Sequence, residues 1–223
     1  ERAFGFYYQY RCNNGQSWAV SPGWRQKKQV GEMRPSHSLD ILFADLLALQ
    51  SDSSMKLPPV DLWDPEESGV MDIRVDREGR WIHEGGEIKR PALVKLFSSI
   101  LKLENGQYFL VTPVEKWKIK VDIAPFFITE VSRDLRYGQQ AISCETLNGE
   151  SIVLSDDHPL TIHYKPESDQ PIPLVKVRGD LNALVSRSAF YQLADWGESS
   201  ATDENNAVYL SSMGCQFLLG KSV

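Results

Sequence analysis

The chain has 223 residues, 42% of them hydrophobic and 24% charged, a balance that excludes global disorder and fibrous architecture and leaves room for one large domain or two small ones. A formal net charge of -6 argues against non-specific nucleic-acid binding and against a general hold on an anionic membrane. No apolar run approaches the ~20 residues of a membrane-spanning helix. Three scattered cysteines, Cys12, Cys144 and Cys215, signal neither a disulfide framework nor a zinc site and fit a reducing cytoplasm.

Residues 1–32 carry aromatics without periodicity and break at Asn13-Asn14-Gly15 and Ser21-Pro22-Gly23, so they read as a non-native or disordered extension. The first methionine is Met33, which points to a native start there. A transit peptide is the rival reading, but the Gly, Pro and Trp content spoils an amphipathic helix. Residues 33–57 are expected to hold a helix over Ser38–Gln50, with Leu39, Leu42, Phe43, Leu46 and Leu47 on one face, and then a linker stiffened by Pro58-Pro59.

A first unit is expected over 58–124. Ile73 and Val75 alternate with polar neighbours, Asp76 to Gly79 turn, and Arg80 to His83 return as a hairpin. Pro91 opens a helix whose apolar face, Leu93, Leu96, Phe97, Ile100 and Leu103, runs up to Asn105-Gly106. Strands follow at Tyr108–Thr112 and Lys116–Asp122, the second alternating Trp117, Ile119 and Val121 with lysines.

The second unit, 125–197, begins with a strand over 126–131. Asn148-Gly149 between apolar runs gives the strongest hairpin signal. Strands near Leu160–Tyr164 and Pro173–Val177 lead to a helix over Ser186–Trp196, closed by Gly197. Residues 198–223 read as a loose tail with one short apolar stretch, Val208–Leu210. An internal echo links the units. Gly86-Glu87-Ile88 leads to Arg90-Pro91-Ala92-Leu93, as Gly179-Asp180-Leu181 leads to Arg187-Ser188-Ala189-Phe190, a pattern that a duplicated α+β motif would produce.

The strings Leu57-Pro58-Pro59-Val60-Asp61-Leu62-Trp63-Asp64-Pro65, Leu96-Phe97-Ser98-Ser99-Ile100-Leu101 and Tyr108 to Lys116, with His158-Pro159-Leu160 and Val177-Arg178 further on, closely resemble the bacterial family catalogued as domain of unknown function 1285. The resemblance spans roughly Leu39 to Gly197. It implies a two-part α+β protein with a duplicated motif, whose second part is similar to pleckstrin-homology-like folds: a bent antiparallel sheet capped by a helix. It also implies a cleft between the halves as a site for a nucleotide-like ligand, with a signalling role, and carries no established activity.

Chemistry-bearing residues are sparse. His158 after Asp156-Asp157, with His163 five residues on, suggests a metal or acid-base site, yet the spacing suits a turn before Pro159 better. Cys144 sits in an apolar strand pattern, the place of an inert thiol. The carboxylate pairs Asp76 with Glu78 and Glu84 with Glu87 flank turn glycines, where acids are commonly just solvated, and Gly85-Gly86 matches no phosphate loop. Arg90 and Arg187 occupy helix starts, where backbone N–H groups favour anions. The stripe Lys116, Lys118 and Lys120 reads first as a solvated sheet face that guards against edge pairing.

The reading is a non-enzymatic protein that takes a phosphorylated or nucleotide-like small molecule between its halves. Arg90, Lys116, Arg178, Arg187 and His158 are the expected ligand residues, with no metal and no cofactor. A protein-interaction adaptor using the second unit's sheet edge or helix is the alternative, and an enzyme built on His158 with Asp156 or Asp157 a further one.

Overall fold

Much of the chain is folded back by two-residue turns. Glu84-Gly85, Asn105-Gly106, Tyr137-Gly138 and Met213-Gly214 each place both residues at positive φ, the turn geometry whose twist matches that of the paired strands. The computed structural model describes residues 57–165, 168–199 and 207–221. The extension over 1–32 and the helix expected over Ser38–Gln50 lie outside them. The described residues fall in one compact unit.

After a short 3-10 helix, Val60–Leu62, the first half supplies β1 (Glu67–Val75), β2 (Trp81–His83), β3 (Gly86–Glu87), helix α1 (Pro91–Ser99), β4 (Leu101–Glu104), β5 (Gln107–Val111) and β6 (Lys116–Val121). The sheet order is β3-β2-β1-β6-β5-β4, antiparallel throughout except that β1 and β6 pair in parallel at the centre.

The second half repeats this arrangement with β7 (Phe126–Arg136), β8 (Gln139–Thr146), β9 (Ser151–Val153), β10 (Leu160–Lys165), β11 (Ser168–Arg178) and β12 (Leu181–Val185). The order is β10-β11-β12-β7-β8-β9, and again the first and last strands, β7 and β12, form the central parallel pair. Each sheet is thus two three-stranded meanders joined by one parallel seam.

The helices break the repeat. Helix α1 lies between the two meanders of the first sheet, whereas helix α2 (Arg187–Asp195) follows the last strand of the second and packs on β7. Ser186 caps α2, its hydroxyl accepting from Ala189 N–H at 3.2 Å, an N-terminal cap of the expected kind.

The α+β expectation, with a second unit capped by a helix, is overturned. The chain is mostly β, the helices are nine residues each, and the second sheet is mixed rather than a bent antiparallel one. Part of the reason lies at Ser99. The apolar spacing predicts a helix continuing to Leu103, but Asn105-Gly106 turns a hairpin that pairs Leu101 with Leu110 and Leu103 with Tyr108, so the helix ends at Ser99. Strand β11 is also longer than read. Its Pro171 and Pro173 precede Leu174, the first residue paired with β12, so no ladder donor is lost on that side.

The expected loose tail is corrected too. After β13 (Glu198–Ser199), β14 (Ala207–Ser212) and β15 (Cys215–Lys221) form a hairpin that completes a third, three-stranded sheet with β13. Ser212, 1% exposed, fixes the hairpin to the second sheet: its hydroxyl accepts from Ile142 N–H at 2.9 Å and donates to Leu154 O at 2.7 Å. Met213 at positive φ is not the Asn or Gly that position favours, and Gly214 alone is a weak signal, so the sequence hides this turn.

One apolar core runs through both halves, from Ile73, Trp81 and Phe97 to Phe126, Ile142 and Leu193. A smaller cluster, Val60, Phe109 and Val111, lies under the 3-10 helix. Strand β5 therefore buries both faces, Leu110 in the main core and its neighbours in the small one, which explains its unbroken apolar run. Among the described residues no helix is long and apolar enough to cross a membrane.

Candidate functional site

The halves meet at the C-terminal end of α1. Arg178 ends β11, where Gly179 at φ +49 turns the chain into β12. Its guanidinium donates to Glu150 Oε1 at 3.1 Å and Oε2 at 3.3 Å, and its other terminal nitrogen donates to the Ser98 carbonyl. The same guanidinium lies over the Phe126 ring, 5.0 Å from the centroid, a favourable cation–π arrangement. The Ser98 hydroxyl accepts from Asn148 Nδ2 at 2.9 Å. A helix leaves its last carbonyls without intrahelical donors, and here a cation from the other half answers one of them, with the sign that the helix dipole favours.

Beside this contact lies a cleft of about 360 Å³ lined by residues of both halves. Val60, Asp61 and Lys102 come from the first, and Arg178, Gly179 and Asp180 from the second. Lys102 donates to Trp63 O at 3.0 Å and reaches Glu104 Oε1 at 2.8 Å. Asp61 and Asp180 balance Lys102 and Arg178, so the wall is electrically neutral as a whole.

Of the five expected ligand residues, Arg178 alone lines this cleft. Lys116, in β6, bonds Glu104 Oε2 at 2.8 Å and sits over Phe109. Hydrogen bonds from Lys102 and then Lys116 outweigh burial and hold Glu104 below the usual carboxylate range, and the Glu104 bond raises Lys116 in turn. His158 belongs to a turn. Its backbone exchanges bonds with Ser155, and Nδ1 meets Lys176 O at 3.0 Å. Arg90 and Arg187 begin α1 and α2, exposed, and line neither this cleft nor the groove described next.

His163 contacts Thr161, and the described residues hold no group of three His, Cys, Asp or Glu able to bind a metal. Cys144 is fully buried, and that burial pushes its thiol up to about 12, so it stays protonated. Asp76 is not a free acid either. Burial raises its pKa, but bonds from the Arg80 N–H and guanidinium and from Glu78 N–H outweigh that and leave it below the ordinary value.

A groove of similar size, about 360 Å³, flanks the other end of α1. The β1–β2 turn at Gly79, the segment 87–95 and the β8–β9 turn at Leu147-Asn148 form it. Gly79 has φ +76, and a Cβ there would stand 2.5 Å from Phe127 Cβ; the two halves touch closely enough here to demand glycine. Trp81 lines the groove at 1% exposure, packed against Phe97 with ring centroids 5.9 Å apart. Its Nε1 is, among the described residues, the one buried side-chain nitrogen or oxygen without a partner, a defect worth about 1–3 kcal/mol.

Sequence reasoning missed Lys102, whereas Trp81 is the packing residue its sequence suggests. Lys102 was assigned to the helix that stops at Ser99, and Trp81 carries no local sign that its indole N–H goes unanswered.

Two family models cover the described chain: "Domain of unknown function (DUF1285), N-terminal domain" over residues 58–124 and "Protein of unknown function (DUF1285), C-terminal domain" over residues 125–219. The chain belongs to the DUF1285 family. A DUF1285 family protein from Silicibacter pomeroyi DSS-3 has a similar crystal structure, with TM-score 0.68 and 41% identity, the match covering 79% of this chain and 94% of that one. Another DUF1285 family protein, from Shewanella baltica OS155, matches at TM-score 0.45 and 22% identity over 56% of this chain and 92% of that one. No curated protein matches.

Proposed function

We propose that this DUF1285 protein is a non-enzymatic binding protein that takes a small phosphorylated or nucleotide-like ligand in the cleft beside Arg178. The observation that carries the reading is that Arg178 lines the cleft and at the same time joins the halves. A guanidinium has five N–H donors, and Glu150 with the Ser98 carbonyl uses at most three of them. The remainder suit an anionic oxygen. A volume of about 360 Å³ lies within the usual range for small-ligand sites. Because the wall is electrically neutral, the ligand carries one anionic group there rather than a polyphosphate chain. A molecule touching both walls would respond to their relative position, which is the physical content of a signalling role.

Thermal denaturation of the full chain with millimolar AMP tests this. Binding to the folded state raises the transition temperature. Glu150→Gln, which frees Arg178 from its carboxylate, strengthens the effect, and Lys102→Met weakens it. No shift with AMP in the wild-type chain or in Glu150→Gln contradicts the reading.

A further inference from the structure

We propose that the groove at the N-terminal end of α1 is a second binding site, for a monoanion with an apolar body such as an aromatic carboxylate. It shares no lining residue with the Arg178 cleft. Three independent features converge on it. The first is the floor: Trp81, Ile88, Val94 and Leu147 present apolar surface that a compact, strongly hydrated phosphate would not cover. The second is the Trp81 indole, fixed against Phe97 with its N–H unanswered. Trp81 lines the groove while only 1% exposed, so its indole reports on whatever occupies that wall.

The third feature is charge. Arg80, Lys89 and Lys95 line the groove against a single carboxylate, Glu87. Arg80 is committed to Asp76 and Glu78, but Lys89 and Lys95 make no ion pair with any described residue. The first turn of α1 adds to this. Pro91 occupies its first position, and the Arg90 side chain makes no capping bond, so the Ala92 N–H at the groove wall has no helical acceptor. An apolar acid answers all three features together. Its body covers the floor beside Trp81, and its carboxylate meets the lysines and the helix start.

The probe is 2-naphthoate, titrated into the 15N-labelled full chain and followed through the tryptophan indole N–H resonances, with Trp81→Phe identifying that of Trp81. The Trp81 indole and the Ala92 amide shift in a saturable way. The double variant Lys89→Ser, Lys95→Ser, which leaves the core untouched, weakens binding at least tenfold, and uncharged 2-naphthol binds at least tenfold more weakly than 2-naphthoate. A Trp81 resonance unmoved by millimolar 2-naphthoate overturns the proposal. So does a lysine double variant that binds like the wild type, or inorganic phosphate shifting Trp81 as strongly as 2-naphthoate does. A response to AMP confined to Gly179 and Lys102 bears on the Arg178 cleft alone.

Discussion

At the two ends of α1 lie two cavities of equal size, one electrically neutral and one net positive. Beside Arg178 the cations are already engaged: Arg178 holds Glu150 and the Ser98 carbonyl, and Lys102 holds Glu104. Beside Trp81, Lys89 and Lys95 are idle among the described residues while a buried donor waits without an acceptor. A count of positive side chains therefore does not locate a site. Their partners matter as well, because a cation committed to the fold keeps fewer donors for a ligand.

The contrast breaks first at the close contact between the halves beside the Trp81 groove. Gly79→Val forces a side chain into a left-handed position and against Phe127, and should cost about 3 kcal/mol or more of folding free energy in urea denaturation. Removing the engaged cation comes next. Arg178→Ala leaves Glu150 and the Ser98 carbonyl without their donor, a loss of about 2 kcal/mol, whereas Arg178→Lys recovers the charge but not the forked geometry. Ser98→Ala removes only the acceptor of Asn148 and should cost about 1 kcal/mol.

Acid titration sharpens the same contrast. Glu104 has a depressed folded-state pKa, so its pairing with Lys102 and Lys116 stabilises the fold fully above the ordinary carboxylate range. That contribution disappears as pH falls through the depressed value. Glu104→Gln should flatten this part of the acid limb in urea midpoints measured between about pH 6 and pH 3. Smallest of all, Lys89→Ser and Lys95→Ser should each change stability by no more than about 0.5 kcal/mol. Equal costs at Lys89 and Arg178 would erase the distinction.

The strands were legible wherever alternation and a turn signal coincided. Ile73 to His83, Tyr108 to Val121 and the Asn148-Gly149 hairpin all announce themselves locally, as does α2 with its closing Gly197. The end of α1 was not legible. Leu93 to Leu103 satisfies helical spacing, and only the pairing of Leu101 with Leu110, a tertiary fact, stops the helix at Ser99. The turns at Tyr137-Gly138 and Met213-Gly214 hide for another reason: a single glycine with a bulky partner is a weak signal, although the observed φ values at both positions are those of a tight hairpin.

Arg178 enters through the family-like string Val177-Arg178 and its positive charge, and it does line the cleft. Lys116, His158, Arg90 and Arg187 were grouped with it on charge and the internal echo. The echo does mark two helix starts, yet α1 sits between meanders and α2 after its sheet, so a shared sequence pattern does not become a shared cleft. Trp81 illustrates the converse, since the absence of a partner is a property of packing and leaves no mark on the sequence.

The most direct measurement is a pair of double-mutant cycles on folding stability, Arg178→Ala with Glu150→Ala and Lys89→Ala with Glu87→Ala. Engaged cations at one cavity and idle ones at the other predict a coupling of about 1–2 kcal/mol for the first pair and none beyond about 0.3 kcal/mol for the second. Equal couplings, or none at Arg178 and Glu150, would contradict the account.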